Sequence, residues 1–292
     1  MANKNILTAG ELKLPASLSS DILAEAQSAS AIQQLATQVA LPGTGSSIHV
    51  ITGDSEAAWV EEGGEKPVSK PSVTQKLMTP HKLAVIEVFS KELIDDAPAL
   101  YNELKRRLPG ALGRKFDQTI LNGTAPGSGF DVLTNAPEIS VATKGWYKGS
   151  VEAMKSIAKN RGALTGFAVT PFAEADILGE LDGNKRPLFI SNPQTEGAIG
   201  SILGRPVYKS EHIDKYLGVA GDWSTARWGV VNGIEVRVSD QATVNTGDGQ
   251  PVNLWQTNQV AVLVEARYGF VVGNENKFAR LTDSKQDAEL TG

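Results

Sequence analysis

Apolar residues recur at every fourth position between residues 100 and 120, and no other pattern constrains the fold of this chain as strongly. Asp95 or Asp96 can cap a helix, Pro98 suits its first turn, and Asn122-Gly123 ends it. The pattern predicts a single apolar stripe on a helix of about 24 residues, about 36 Å long. Pro109-Gly110 in its middle should kink or split this helix. The stripe consists of Leu100, Leu104, Leu108, Leu112, Phe116 and Ile120.

Strands are predicted early and late in the chain, and shorter helices between them. Residues 234–238 alternate apolar and charged side chains, and every second residue from Val260 to Val272 is apolar and lies on one face, as in strands with a buried face. Two helices are predicted, within residues 150–160 and 171–181. The first has Val151, Met154, Ile157 and Ala158 on one face, and the second has Ile177, Leu178 and Leu181 facing inward. Helices grouped in the middle of the chain indicate the α+β class rather than alternating α/β.

The N-terminal segment predicts an arm and a helix with no partner nearby in the sequence. Residues 1–18 are typical of an extended arm. An amphipathic helix should follow, with Ser19 or Ser20 as its cap and Pro42-Gly43 as its end. Its apolar positions are Ile22, Leu23, Ala26, Ile32, Leu35 and Val39.

Residues 54–91 predict a long two-stranded excursion, because strand-like segments flank a tip rich in glycine and proline. An isolated two-stranded ribbon is barely stable in water, so something else must hold it. The tip reads AAWVEEGGEKPVSKPSV, residues 57–73. Trp59 either folds back onto its own domain or anchors in a neighbouring subunit, since tryptophan is enriched at interface hot spots. The charges of the tip are, by default, a solvated surface.

Composition and motifs exclude several classes of protein. The 292 residues include no cysteine, which excludes disulfides, thiolate metal sites and cysteine nucleophiles. The net charge of −5 disfavours tight, chain-wide contact with phosphates. No segment resembles a signal peptide or a membrane span, which predicts a soluble protein of the cell interior. His49, His81 and His212 have no convincing metal-ligand spacing, and residues 123–129 lack the lysine of a phosphate loop.

Eight ordered segments resemble the major capsid proteins of tailed double-stranded-DNA bacteriophages, over about residues 14–282. The first four are LPASLSSDILAEAQSASAIQQLATQVALPG, ITGDSEAAWVEEGGEKPVSKPSV, KELIDDAPAL and FDQTILNGTAPG. The last four are TPFAEADILGEL, ILGRPVYKSEHI, GDWSTARWGVVNGIEVRVSD and NQVAVLVEARYGFVVGNENKFARLT. The resemblance implies the HK-ninety-seven-like capsid fold. It divides the chain into an N-terminal arm (1–50), an E-loop (51–91), a P domain (92–139, with a spine helix at 96–121), an A domain (140–230), returning P-domain strands (231–282) and a tail (283–292).

By the same resemblance, copies of the chain would form pentamers and hexamers of an icosahedral shell, with each E-loop lying over a neighbour. The resemblance implies no catalytic residue, no metal and no cofactor. The implied contact residues are Trp59, Glu61, Glu62, Glu65, Lys66 and Lys70. Some relatives crosslink a loop lysine to an asparagine, roles that Lys66 or Lys70 and Asn274 or Asn276 could take.

The implied partners are further copies of the chain, a portal, decoration proteins and weakly held DNA, assembled in the host cytoplasm into a virion capsid. Many relatives begin with a scaffolding segment, and the arm at the start of this sequence predicts a separate scaffolding protein or none. Two alternatives remain open at this point. One is an encapsulin-type shell with the same fold but an enzyme cargo, and the other is an α+β enzyme with an unrecognised motif.

Overall fold

The computed structural model describes two β-sheets, a separate ribbon, a hairpin and the helices that cover the sheets. It describes residues 26–27, 29–53, 57, 59–63, 65–66, 68, 72–96, 98–141, 145–181, 184–186, 189, 200–211, 213–245 and 251–283. The helices are α1 (Ala31–Leu35), α2 (Lys91–Asp96), α3 (Pro98–Asn122), α4 (Trp146–Lys159) and α5 (Pro171–Gly179). The strands are β1 (Thr37–Gln38), β2 (Ser46–Gly53), β3 (Ser72–Met78), β4 (His81–Ser90), β5 (Glu138–Ser140), β6 (Gly166–Val169), β7 (Gly200–Ile202), β8 (Arg205–Lys209), β9 (Gly218–Gly221), β10 (Ala226–Val230), β11 (Glu235–Ser239), β12 (Thr243–Asn245), β13 (Pro251–Asn253), β14 (Gln259–Val272) and β15 (Phe278–Thr282).

The first sheet has five strands and is organised around β14. This strand pairs antiparallel with β4 on one side and with β10 and β11 on the other, while β1 adds to β10 in parallel. The long helix α3, the spine helix, packs across the sheet. The ring of Phe116 lies 5.1 Å from that of Tyr268 and 6.1 Å from that of Phe270. These aromatic contacts form the centre of the larger of the two main cores.

The spine helix is continuous through Pro109, so the expected split is not found. A proline inside a helix removes one backbone donor and crowds the preceding turn. Leu108 and Leu112 on either side of it are buried, at 2% and 1% exposure, and this packing against the sheet holds the helix together across the proline. The four-residue stripe is confirmed at every position whose burial is described.

The second sheet has six strands, in the order β5-β15-β9-β6-β8-β7. Helix α4 covers it, and a second core lies between them. All four residues of β6 and of β9 are buried, because these two strands lie in the middle of the sheet. The strands of residues 231–282 lie in three sheets: β11 and β14 in the first, β12 and β13 in a hairpin of their own, and β15 in the second.

The predicted helix of the N-terminal segment is wrong in its second half. Helix α1 ends at Leu35, and the chain then extends so that β1 pairs with β10 and Val39 N–H donates to the Trp228 carbonyl at 2.8 Å. This pairing covers the edge of β10, which would otherwise present unpaired backbone groups. The part of the prediction before residue 26 lies outside the described residues.

The expected two-stranded excursion over residues 54–91 is also wrong in its extent. The ribbon consists of β2 and β3, which pair from Ser46 with Met78 to Gly53 with Ser72. Strand β4 instead pairs with β14 over ten residues, because its apolar face can be buried against the spine helix there.

Two predicted apolar faces are buried only in part, with Ile157 and Ile177 as their buried members. In α4 the buried side chains include Trp146, Ala153 and Ile157, whereas Met154 and Ala158 are exposed. In α5 and the residues after it, Ile177 is buried as expected, but Leu178 and Leu181 are 41% and 52% exposed.

Candidate inter-subunit surface

The ribbon formed by β2 and β3 belongs to neither of the two large sheets. Its two strands pair with each other over most of their length, with a shift in register between Ile51 and Gly53. Val73 and Leu77 on β3 are 55% and 58% exposed. A two-stranded ribbon with uncovered apolar side chains is marginal in water, so its stability depends on contacts beyond the pair.

The base of the ribbon is fixed to the first sheet by a charged contact. Lys76 Nζ lies 2.9 Å from Asp131 Oδ2 and donates to the Val272 carbonyl at 2.8 Å. The same Asp131 oxygen accepts from Val272 N–H at 2.9 Å, so one carboxylate joins the ribbon to β14. Met78, at the end of β3, is fully buried in a small third core beside Leu41. Among the described residues, the contacts that anchor the ribbon lie at its base.

Apolar side chains at the tip of the ribbon are uncovered. Trp59 is fully exposed, at 105% of its reference area, and Val68 is 85% exposed. This exposure favours the interpretation of Trp59 as an anchor for a neighbouring subunit over the one in which it folds back onto its own domain. A tryptophan at the end of a projecting ribbon is costly in water unless another surface covers it.

The charged residues predicted for the tip follow this tryptophan closely in the sequence. Glu61, Glu62, Glu65 and Lys66 are all exposed, whereas Lys70 lies outside the described residues. Exposed charges near an apolar anchor are typical of the polar rim of an interface.

The two asparagines named as crosslink candidates lie near the base of the ribbon, whereas Lys66 lies at its tip. The side chain of Asn274 caps a short 3₁₀ turn by accepting from Asn276 N–H at 2.9 Å. Glu275 lies between these two asparagines in the sequence, and its pKa is raised. Burial and the charge of Asp131 raise it, while Lys76 lowers it. Within one chain the ribbon separates the lysine from both asparagines.

Sequence reasoning missed a buried carboxyl on the spine helix. Asp117 is 1% exposed and accepts hydrogen bonds from Ser30 Oγ at 2.5 Å and from Ala31 N–H at 2.8 Å. Ser210, directly after β8, donates to it at 3.4 Å. Burial raises the pKa of Asp117 to about 7, although these donors lower it. The carboxyl thus joins the arm, the spine helix and the second sheet. The only local signal was its place next to Phe116 in the stripe.

The described residues contain no group of three His, Cys, Asp or Glu side chains that could hold a metal ion. His81 contacts the Ser128 carbonyl at 3.1 Å, His49 lies on β2, and His212 lies outside the described residues. Over the same described ranges, no helix has the length and apolar character needed to cross a bilayer.

The anchored ribbon leads to an uncovered tryptophan. This architecture is typical of a class of protein whose exposed apolar side chains are buried when it associates with other molecules. The chain belongs to the phage capsid family, whose model matches residues 10–283. This is a family of structural shell proteins rather than of enzymes. The α+β class and the HK-ninety-seven-like capsid fold are thereby confirmed.

Individual relatives agree with this assignment. The chain is 33% identical over 283 residues to the "Probable major capsid protein gp17" of Mycobacterium phage L5, covering 90% of this chain and 87% of the relative. It is 24% identical over 282 residues to the "Major capsid protein" of Staphylococcus phage 80alpha, covering 91% and 84%. A solved structure from Mycobacterium phage Adephagia has a TM-score of 0.71 at 21% identity, covering 87% of this chain and 90% of that one.

Proposed function

We propose that this chain is a major capsid protein whose copies assemble, as pentamers and hexamers, into an icosahedral shell around a double-stranded DNA genome. The observation that carries the proposal is the fully exposed Trp59, which follows a ribbon whose described anchoring contacts lie at its base. Curated relatives that match most of this chain are named as major capsid proteins. A neighbour in the fold, at 14% identity, is titled "Capsid of empty GTA particle computed with C5 symmetry".

In this proposal the ribbon lies over a neighbouring subunit. Trp59 and Val68 enter an apolar contact there, and the charges at Glu61, Glu62, Glu65, Lys66 and Lys70 form ion pairs around it. The lysines pair with acids and form no covalent crosslink. An adaptable tip suits this role, since pentamers and hexamers present slightly different neighbours to the same loop.

The charge of the chain fits confinement of DNA rather than tight binding. A shell that must fill and empty benefits from few phosphate contacts, and a net charge of −5 provides no basic surplus. The proposed partners are other copies of this chain, with a portal, a scaffolding protein and decoration proteins as further components. Assembly in the host cytoplasm completes the proposal.

The test is the size of the purified protein, measured by electron microscopy and size-exclusion chromatography, with Trp59→Ala beside the wild type. We expect capsomers or shells for the wild type. For Trp59→Ala we expect a folded monomer, since the side chain contributes nothing to its own core. Trp59→Phe is the matched control and should restore assembly, because a large apolar ring remains.

A wild type that stays monomeric, alone and with its scaffold, would contradict the shell. Loss of monomer folding in Trp59→Ala would instead place the tryptophan inside its own subunit. When the wild-type shells are boiled in denaturant and analysed by gel electrophoresis, the protein should run as one band of 31.0 kDa. A ladder of larger bands would show that the loop lysines crosslink.

A further inference from the structure

The spine helix α3 carries positive charge within a chain that is acidic overall. Its 25 residues include five basic and two acidic side chains, a net charge of +3, against −5 for the whole sequence. Positive charge that is concentrated in one element of an acidic chain favours contact with an anionic partner at that element. The basic residues of the helix are Lys105, Arg106, Arg107, Arg114 and Lys115.

Two sides of the spine helix are covered within the chain. The first sheet covers one side, where Phe116 packs. The N-terminal segment covers another, since a Cβ atom on Gly113 would lie 2.3 Å from the Ala26 carbonyl oxygen and Ser30 donates to Asp117. The side chains that are not buried between residues 107 and 122 form one strip, which we call the cationic strip. It consists of Arg107, Ala111, Arg114, Lys115, Gln118, Thr119 and Asn122.

The cationic strip has no acidic member, although Asp117 lies in the same stretch of the helix. Asp117 is 1% exposed and accepts its hydrogen bonds from residues on a covered side. Arg107 and Lys115 are exposed, and Arg114 is half-buried. Lys115 Nζ donates to the amide oxygen of Gln118 at 2.9 Å, a contact that does not neutralise its charge. Three cations therefore share a strip without a carboxylate.

A glycine lets the charge of Arg114 lie along the helix. A Cβ atom on Gly110 would lie 3.1 Å from Arg114 Nη1, so the guanidinium group extends back over this glycine, one turn before its own residue. The cations from Arg107 to Lys115 span about 12 Å, at 1.5 Å per residue. Duplex DNA carries one negative charge per ~1.7 Å of its axis, so a strip of this length faces several phosphates.

The surroundings of the strip favour phosphate over an acidic protein as its partner. Basic side chains elsewhere on the described surface have other neighbours: the lysines of α4 border the exposed Tyr147 and Met154, and Arg237 lies 2.7 Å from Glu235. Charges that border exposed apolar side chains are typical of protein–protein interfaces. The uncharged members of the cationic strip are small or polar, and contacts with a phosphate backbone need no apolar surface.

We propose that the cationic strip of the spine helix is a contact surface for the phosphate backbone of double-stranded DNA. The contact is independent of base sequence, since it is made to phosphates and not to base edges. In the proposed shell this side of the helix lies toward the enclosed genome, so the inference rests on the proposed function. Three cations per copy give a weak contact, which suits a shell that must fill and empty.

The test is the salt dependence of DNA binding by the full-length chain, measured by the fluorescence anisotropy of a short labelled duplex. Trp59→Ala, which should stay unassembled, is the background for every variant. Each phosphate contact contributes about 0.9 to the slope of log affinity against log salt concentration. In Arg107→Gln/Lys115→Gln we expect this slope to fall by about 1.8, equally for duplexes of different sequence. Both side chains are exposed, so the melting temperature should equal that of the background.

The matched control is Lys148→Gln/Lys155→Gln, which removes the same charge from an exposed face of α4 and should leave the slope unchanged. An unchanged slope in the strip variant overturns the inference, and so does an equal fall in the control, which would reflect net charge alone. Polyglutamate should bind more weakly than the duplex. If it binds as tightly and depends equally on the strip, the surface fits an acidic protein and the inference is overturned.

A second measurement uses DNA-filled particles and does not depend on the Trp59→Ala background. Formaldehyde should link Lys115 to the DNA and should not link Lys155, as mass spectrometry of the digested particles can show. Particles in which Lys115 is never linked would overturn the inference. A wild type that forms no shells would instead refute the proposed function, even where the strip variant weakens binding to the duplex, so the two failures are distinguishable.

Discussion

Replacing Asp117 by asparagine tests how the buried carboxyl of the spine helix connects three parts of the chain. Burial raises the pKa of Asp117 from 3.8 to about 7 in the folded protein. The folded state therefore binds this proton more tightly than the unfolded state does. The resulting stabilisation is complete below the unfolded pKa and is lost as the pH rises through the folded pKa.

The size of the effect follows from the shift. One pKa unit corresponds to about 1.4 kcal/mol, so ionising the buried group costs up to roughly 4 kcal/mol at high pH. Between pH 8 and pH 5 this one carboxyl should raise the free energy of unfolding by about 3 kcal/mol.

The asparagine variant is a suitable comparison, because Asp117→Asn keeps the shape of the side chain and cannot titrate. Its oxygen can accept from the Ser30 hydroxyl or from Ala31 N–H, which removes one acceptor at a cost of about 1–3 kcal/mol. At pH 8 that loss is offset by the absence of a buried charge, and the two proteins should be similarly stable. At pH 5 the wild type should be the more stable by a few kcal/mol.

Urea unfolding of the unassembled chain, followed by tryptophan fluorescence at pH 5 and pH 8, measures this difference. Other titrating groups are common to both proteins and cancel. Ser30→Ala is the control: it removes a donor that lowers the Asp117 pKa, so the change in stability should move to higher pH. Parallel pH profiles for wild type and Asp117→Asn would refute the reasoning.

Two further perturbations test the contacts that hold the ribbon and the arm. Lys76→Met removes the 2.9 Å contact with Asp131, a partly exposed pair whose loss costs about 1 kcal/mol or less. It should speed amide hydrogen exchange in β2 and β3 and raise the pKa of Glu275 further, which carboxyl NMR can follow. Gly113→Ala places a methyl group 2.3 Å from the Ala26 carbonyl, which should cost about 1–3 kcal/mol in thermal unfolding and expose the arm to proteolysis. Unchanged amide exchange in Lys76→Met would contradict the role of the Lys76–Asp131 contact. An unchanged melting temperature in Gly113→Ala would contradict the close approach of Gly113 to Ala26.

The spine helix could be predicted from the sequence because its signals are local. The prediction of residues 96–121 lies within two residues of the observed Pro98–Asn122, and the alternation in β14 correctly predicted the buried face of that strand. Periodicity of this kind depends on neighbours one turn or two residues away. The α+β class followed from the same signals.

The errors have a common cause, since each depends on a contact between distant parts of the chain. Helix α1 begins at the Ser30 cap beside Asp117, 87 residues away in sequence, and the chain then turns to the edge of β10. Strand β4 has the pattern of a ribbon strand but pairs with β14, near the other end of the chain. A lone aspartate such as Asp117 in a helical pattern predicts a solvated side chain. Its three hydrogen-bond donors come from two elements that are distant in the sequence, so the local pattern gives no sign that it is buried.

In α4 and α5, the residues that were predicted to be buried but are exposed say more about assembly than the residues whose burial is observed. Hydrophobic periodicity reports which residues are buried in the state that evolution selected, and that state includes every copy in the assembly. Met154 and Leu178 have the sequence pattern of core residues and the exposure of surface residues. Trp59 shows the same conflict at the ribbon tip. Where sequence pattern and monomer burial disagree in this chain, the proposed assembly predicts that the residues in conflict lie at an interface between copies.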